Sequence, residues 1–217
     1  MATTLQSFGS ERAVPEGRLY RLRDRAPVLL RPIRPEDKGR LMEGFERLSP
    51  ESRYQRFMAA VAGLSESQLR RFTEIDYADH MAWIALDPST PDQPAVGVAR
   101  YIRLPGQPAV AEVAVTVLDD YQGRGLGTLL LGLVSRSAAQ QGIATFRAYA
   151  LETNSAMIRI LRDLGAAVRR EDTGVLRLDV PVPRDVGSLP DSPTGRAFQA
   201  IARSSWAVDE PIGGRTP

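Results

Sequence analysis

Apolar positions recur along this chain with two different periods, and the change from one to the other marks out its elements. Residues 18–34 alternate in part, through Leu19, Tyr20 and Leu22 and then Val28, Leu29, Leu30 and Ile33. The DRAP stretch between them reads as a turn, which predicts a hairpin or a single strand with a lead-in. Pro35-Glu36-Asp37 then reads as a helix start, with acidic residues facing the positive end of the dipole. That helix runs to about Leu48 and carries Leu41, Met42, Phe45 and Leu48 on one face. Ser49-Pro50-Glu51-Ser52 is a second start signal, with proline at the first helical position. Ser65-Glu66-Ser67-Gln68 matches a capping box ahead of Leu69, Phe72 and Ile75.

Beyond Ile75 strands take over. Met81–Leu86 is a short apolar strand, DPSTPDQPA is a proline-rich connection, and Val96–Leu104 and Val110–Leu118 follow, joined by PGQP. Leu126–Gln140 predicts a long helix, Thr145–Leu151 a strand, Asn154–Leu164 another helix, and Ala167–Arg170 with Val175–Val180 a closing pair of strands. This order predicts one α+β domain over residues 18–180, with a mostly antiparallel sheet. Residues 1–17 show no periodicity and read as a flexible tail. Residues 181–217 are rich in Pro, Gly, Ser and Asp and read as a second tail. Within it, residues 196–206 offer one short helix, with Phe198, Ile201, Ala202 and Trp206 on one side, that docks on the domain or on a partner.

Composition narrows the class. A chain of 217 residues with 43% hydrophobic and 25% charged content can bury one sizeable core. No apolar run approaches the length of about 18 residues that a membrane span needs, and the N-terminal stretch lacks the apolar centre of a secretory signal. With no cysteine there is no disulfide framework, thiolate zinc site or cysteine nucleophile. No metal is called for, and a cytoplasmic protein is the simplest reading. The net charge of +2 is a mild excess rather than the concentrated basic face that nucleic-acid binding requires. Arginines do cluster at Arg18, Arg21, Arg23, Arg25, Arg31 and Arg34, as an edge strand guarded against sheet-to-sheet aggregation would show. The oligomeric state is not legible.

The densest chemical signal is Tyr121-Gln122-Gly123-Arg124-Gly125-Leu126-Gly127-Thr128, between the strand ending at Leu118 and the helix from Leu126. Glycines let the backbone turn sharply and let a ligand approach without a Cβ in the way. The following helix aims its unpaired N–H groups and its positive end back at the loop, and together they make a cradle for phosphate or pyrophosphate. Arg124 adds charge at the rim. The loop lacks the Gly-Lys-Ser/Thr of a P-loop, and its Gly-x-Gly-x-Gly differs from the Gly-x-Gly-x-x-Gly dinucleotide fingerprint. A tight turn that binds nothing is the bland alternative.

Gln122, Gly125 and Gly127, after the apolar run Ala111–Val117 and before a long helix, resemble the acetyl-CoA motif of the GNAT acetyltransferase superfamily. Asn154 with Met157, and then Leu164-Gly165-Ala166, is similar to that superfamily's second block. The resemblance covers roughly residues 28–180 and implies a GNAT fold, a mixed, mostly antiparallel sheet of about seven strands that splays open beside Val110–Leu118. The pantetheine arm of acetyl-CoA would lie in the gap against backbone groups of Val115, Thr116 and Val117, near Asn154. Its pyrophosphate would rest on the amides of Gly123, Arg124, Gly125, Leu126, Gly127 and Thr128. Residues 31–86 further resemble the catalytic domain of bacterial protein lysine acetyltransferases of the Pat type, which implies an amine acceptor on a protein lysine.

Acetyl transfer to an amine needs a base, a polarised carbonyl and a proton for the leaving thiolate. Glu112 is the only charge in Val110–Val117, and a carboxylate in a partly apolar cleft is raised toward neutrality and suited to the base. Its place five residues before Val117 also matches the general base of Pat-like enzymes. The alternative is a Glu112 at the exposed end of the sheet, paired with Arg100 or Arg103. An N–H near Val115 would polarise the carbonyl, an effect worth about 3 kcal/mol for one donor. The acid is where the chain departs from the family, because Leu161 stands where many GNAT enzymes have tyrosine. Tyr149 and Tyr121 are the nearest phenols in sequence, and water is a further source of the proton. His80 lines the acceptor site or is structural, and Asn154 also suits a helix N-cap. A small amine or N-terminus as acceptor, or an acyl-CoA-binding module without turnover, are the competing readings.

Overall fold

The alternating segments pair into one open sheet, and the helical segments cover its two faces. The computed structural model describes residues 17–184 and 190–204. Within them the strands are β1 (Arg18–Arg21), β2 (Pro27–Pro32), β3 (His80–Leu86), β4 (Ala95–Leu104), β5 (Gln107–Val117), β6 (Thr145–Leu151), β7 (Ala167–Asp172) and β8 (Val175–Pro181). Their order across the sheet is β1-β2-β3-β4-β5-β6-β8-β7, and every pairing is antiparallel except β5 with β6. The helices are α1 (Lys38–Arg47), α2 (Pro50–Phe57), α3 (Glu66–Thr73), α4 (Leu126–Gln140), α5 (Ser155–Asp163) and α6 (Pro193–Ser204).

Eight strands replace the predicted seven or so, because the hairpin reading of residues 18–34 is the one that forms. Leu22 N–H donates to Ala26 O at 2.9 Å and Arg25 N–H to Leu22 O at 2.9 Å, which brings Arg18 opposite Leu30. The added strand is the arginine-bearing edge that the charge pattern suggested. The helix predicted from Pro35 starts as a single 3-10 turn, Pro35–Asp37, and becomes α-helical at Lys38.

Helix α4 is apolar nearly all round, with Leu126, Leu130, Leu131, Leu133 and Val134 buried against β3, β4 and β5. A Cβ at Gly97 would sit 3.1 Å from Leu130 Cδ1 and 3.2 Å from Thr116 O, so this position lets α4 approach the sheet closely. On the opposite face α1 and α3 bury Leu41, Phe45 and Leu69 on Ile33, Ala82, Ile84 and Ala95. Alternation therefore sends Ala99 and Tyr101 of β4 toward α4, and Val98 and Arg100 toward α1–α3.

Among the described residues beyond Pro181, one helix forms and starts earlier than the pattern predicts. Helix α6 starts at Pro193 rather than near 196, and it packs on α4 with Phe198 only 4% exposed. Burying such a ring contributes about 1.5–3 kcal/mol. Ser192 Oγ accepts from Gly195 N–H at 2.9 Å, so Ser192-Pro193 repeats the Ser-Pro start of α2. Of the two docking choices, α6 takes the domain. Trp206, the end of the predicted helix, and the tail before Gly17 lie outside the described residues.

Candidate active site

β5 and β6 pair only through Val110↔Thr145, Ala111↔Phe146 and Glu112↔Arg147. Past this point β5 continues to Val117 beside β4, and β6 continues to Leu151 beside β8. The two strands separate into a wedge, and among the described residues the β6-facing backbone edge of residues 113–117 has no partner strand. Gln55 and Arg56 of α2, Glu112, Val115, Tyr149 and Asn154 line the opening. Such an edge accepts an extended, hydrogen-bonding ligand in place of a strand.

The glycine loop sits at the open end. After the 3-10 turn Asp119–Tyr121, Gly123 (φ 70°) and Gly125 (φ 90°) adopt left-handed backbone that favours glycine, and α4 begins. Among the described residues, no group accepts a hydrogen bond from the amides of Gly123 through Thr128, and nothing lies within 4 Å of where a Gly123 Cβ would be. A run of unclaimed N–H groups at the start of a 15-residue helix fits an anion as large as pyrophosphate.

Several side chains hold this loop in place. Gln122 Nε2 donates to Ser52 Oγ and to Val117 O, both at 3.2 Å. Asp119 accepts from Ser49 N–H (3.0 Å), Ser49 Oγ (2.9 Å) and Ser52 Oγ (2.7 Å), which ties α2 to the loop. Burial pushes the Asp119 carboxyl up, but these donors outweigh it and hold it below its ordinary value. Arg124 lies over the Tyr121 ring at 4.5 Å and bonds Asp24 at 2.6 Å. Arg23 lies over Gly125, its Nε 3.3 Å from where a Cβ would stand, with its N–H donating to Arg124 O at 3.1 Å. The early arginine cluster thus places a second cation, beside Arg124, against the glycine loop. Sequence reasoning missed Arg23 because its partner is 102 positions away, at Gly125.

Glu112 sits where the wedge closes. It is exposed and, among the described residues, has no ion pair; Arg103 bonds Asp79 at 2.7 Å and Arg100 bonds His80 at 3.1 Å. Glu112 lines the partly apolar wedge with Val115, Ala148 and Met157 yet stays exposed, and among the described residues the alternative pairing with Arg100 or Arg103 does not form. Its field does reach Arg56, whose guanidinium burial pulls down and Glu112 pulls back up.

Tyr149 faces the wedge. Its neighbours Ala148 and Ala150 are buried, whereas Tyr149 lines the wedge with Glu112. The Tyr121 hydroxyl is engaged by Asp87 at 2.6 Å, and Leu161 is buried in the core. Asn154 Oδ1 caps α5 by accepting from Met157 N–H at 3.1 Å, and its residue also lines the wedge. His80 lies on the α1–α3 face beside Arg100, in neither the wedge nor the loop. Burial first, and Arg100 second, lower its imidazole to about 4.

The wedge where two parallel strands part, the glycine loop at its mouth and the helix leading away form one continuous groove, open to a long ligand with an anionic end. The model of the acetyltransferase (GNAT) domain matches residues 28–167, and the chain belongs to that family. It is 40% identical over 164 residues to acetyltransferase Pat of Mycolicibacterium smegmatis, covering 76% of this chain and 48% of that protein. The chain therefore spans about half the length of this curated relative. The GNAT domain of S. lividans PAT superimposes with a TM-score of 0.69 at 35% identity, over 76% of this chain and 96% of that one. The fold is shared more distantly with YncA of Salmonella typhimurium, described with its cofactor acetyl-CoA (TM-score 0.55, 18% identity, 76% and 98% covered). Among the described residues no helix is long and apolar enough to cross a membrane, and no three His, Asp or Glu side chains group as metal ligands.

Proposed function

We propose that this chain transfers the acetyl group of acetyl-CoA to an amine, and that the acceptor is a protein lysine side chain. The observation that carries the reading is the alignment of the unclaimed amides of residues 123–128 with the open edge of β5. The cradle would take the pyrophosphate, and the pantetheine would run along residues 113–117 as an added strand. The thioester would then stop near the closed end, beside Glu112.

There Glu112 takes a proton from the acceptor ammonium, and seating of cosubstrate and acceptor excludes water from around it. The freed amine attacks the thioester carbonyl, whose oxygen is polarised by a backbone N–H near Val115. The C–N bond forms, the nitrogen gives up its second proton to water, the C–S bond breaks, and the thiolate takes a proton from water or from Tyr149, which water then reprotonates. The likeness of residues 31–86 to Pat-type enzymes supports lysine as the acceptor.

Incubation with acetyl-CoA and a panel of proteins and small amines, read by CoA release and by mass, tests the whole reading. Glu112→Gln should lower kcat/KM by about 10²–10⁴-fold with little change in Tm. Transfer as fast as wild type at neutral pH would remove Glu112 as the base. CoA at about 100 times its Kd should stabilise the fold by about 2.7 kcal/mol, and no protection would overturn the loop assignment.

A further inference from the structure

On the α1–α3 face, next to the wedge, a second cleft lies between α1, α2, α3 and strands β4 and β5. Its walls are apolar, including Phe45, Phe57, Phe72 and Val98, and two guanidinium side chains, Arg56 and Arg100, enter it. Arg100 is 5% exposed and stacks on Phe72 with its Cζ 4.4 Å from the ring centroid. Its Nη1 donates to Phe72 O at 3.2 Å and to His80 Nε2 at 3.1 Å. Arginine has only donors, so Nε2 must be the accepting nitrogen and His80 is a neutral ring with its proton on Nδ1. Among the described residues nothing accepts from Arg100 Nε or Nη2, and no carboxylate lies within 4.0 Å of it or of Arg56.

This is an unusual balance of charge. Burial, and then the fields of Arg56 and Arg71, pull the Arg100 guanidinium down to about 9, so it remains a cation at neutral pH. Arg40, the third arginine on the cleft wall, already has the Asp37 carboxylate at 3.4 Å. A buried cation without a counterion is costly, and the N–H groups left on Nε and Nη2 of Arg100 match a planar oxyanion. About 70 Å³ of the cleft is open to the centres of water molecules, several times the roughly 10–15 Å³ that one water needs. Arg56 lines both this cleft and the wedge that holds Glu112, so a group seated here is one side chain from the site of transfer.

We propose that this cleft seats an anionic group of the acceptor, a carboxylate held by Arg100 and Arg56 while the acceptor amine faces Glu112. The inference rests on the acetyl-transfer reading and narrows its acceptor to an amine that carries a nearby carboxylate. On a protein this is an acidic side chain beside the target lysine; on a small molecule it is the carboxylate of the amine itself.

Two measurements test it on the full chain. The first is thermal unfolding with saturating CoA, so that the glycine loop is filled, in sodium phosphate against sodium chloride at matched ionic strength. Phosphate, as a surrogate oxyanion, should raise Tm in wild type; Arg100→Met should abolish the shift and Arg56→Gln should reduce it. An equal shift in all three proteins, or none in wild type, overturns the site. The second is acetylation of lysine peptides with Glu or Gln beside the lysine, and of glutamate against its diamide. The favoured source should show a KM about 10-fold lower for the carboxylate form, and the ratio should fall to about 1 in Arg100→Met. A ratio of 1 in wild type for both pairs overturns the proposal. Loss of CoA protection or of all turnover counts against the acetyl-transfer reading instead, while the phosphate shift measured without CoA still reports on Arg100. Arg56→Gln keeps both tests decisive if Arg100→Met does not fold.

Discussion

Two arginines are buried on the same face of this sheet, and they are handled in opposite ways. Arg31 on β2 meets Asp37, which is 0% exposed, through two bonds of 2.7 and 2.6 Å, and the same carboxylate accepts from Arg34 N–H at 2.9 Å. Burial pushes the Asp37 carboxyl up, yet these donors hold it below its ordinary value. Arg100 on β4 has an aromatic ring, a carbonyl and a neutral imidazole and, among the described residues, no carboxylate within 4.0 Å. The first arrangement is closed and structural: it anchors the start of α1 to β2. The second leaves Nε and Nη2 without acceptors among the described residues, facing a cleft beside the wedge, where a ligand could reach them.

The largest effect should come from breaking the closed pair. Asp37→Ala strands Arg31 as a buried cation and should lower stability by about 3–5 kcal/mol, read as a lower denaturation midpoint at unchanged slope. Arg100→Met replaces an uncompensated cation by an apolar chain of similar length. Its stability should stay within about 1 kcal/mol of wild type or rise. If Arg100→Met costs as much as Asp37→Ala, the two sites are alike and Arg100 is structural.

A smaller effect lies in the pH dependence. The folded chain holds His80 at about 4, below its ordinary 6.5, through burial and then Arg100. Below about 6.5 the unfolded chain takes a proton here that the folded chain refuses, so stability is full above that pH and is lost as pH falls toward 4. Thermal unfolding between pH 7 and pH 4 should show this loss in wild type, and Arg100→Met should narrow it. His80→Gln should remove it; an unchanged profile would mean another group sets the slope. The Asp37 pair acts in the same direction but below the ordinary aspartate range, so the two windows separate.

How much of this was legible in the chain follows from the range of the forces involved. Strand alternation, the capping box at Ser65 and the apolar α4 are local, and Thr145–Leu151 and Leu126–Gln140 form with the bounds the pattern predicted. The glycine loop is legible as a tight strand-to-helix turn because its signal lies within eight consecutive residues, and Gly123 and Gly125 do take left-handed backbone there. The start of α6 was obscured by a Pro- and Gly-rich surrounding, although Ser192-Pro193 is the same device as Ser49-Pro50. What no spacing displayed were contacts between distant segments: Arg23 over Gly125, Arg56 shared by cleft and wedge, and His80 against Arg100 rather than in the wedge. Each joins residues at least 20 positions apart, and only the folded sheet brings them together.

The smallest effect separates distance from burial. Arg124 approaches Asp24 at 2.6 Å, the same N–O separation as Arg31 to Asp37, but the Asp24 side chain is 47% exposed where Asp37 is 0%. The hydrogen bond from Arg124 lowers the Asp24 carboxyl, followed by the bond from Ala26 N–H. Water solvates both partners when such a pair is cut, so its loss is screened in a way the buried pair's is not. Asp24→Asn should therefore leave Tm indistinguishable from wild type in 0.15 M salt, while Asp37→Ala unfolds far earlier. A clear drop in Tm for Asp24→Asn would show that the hairpin carrying Arg23 is held on the glycine loop by this pair. A flat response would mean that the backbone bond from Arg23 N–H to Arg124 O and the stacking of Arg124 on Tyr121 suffice.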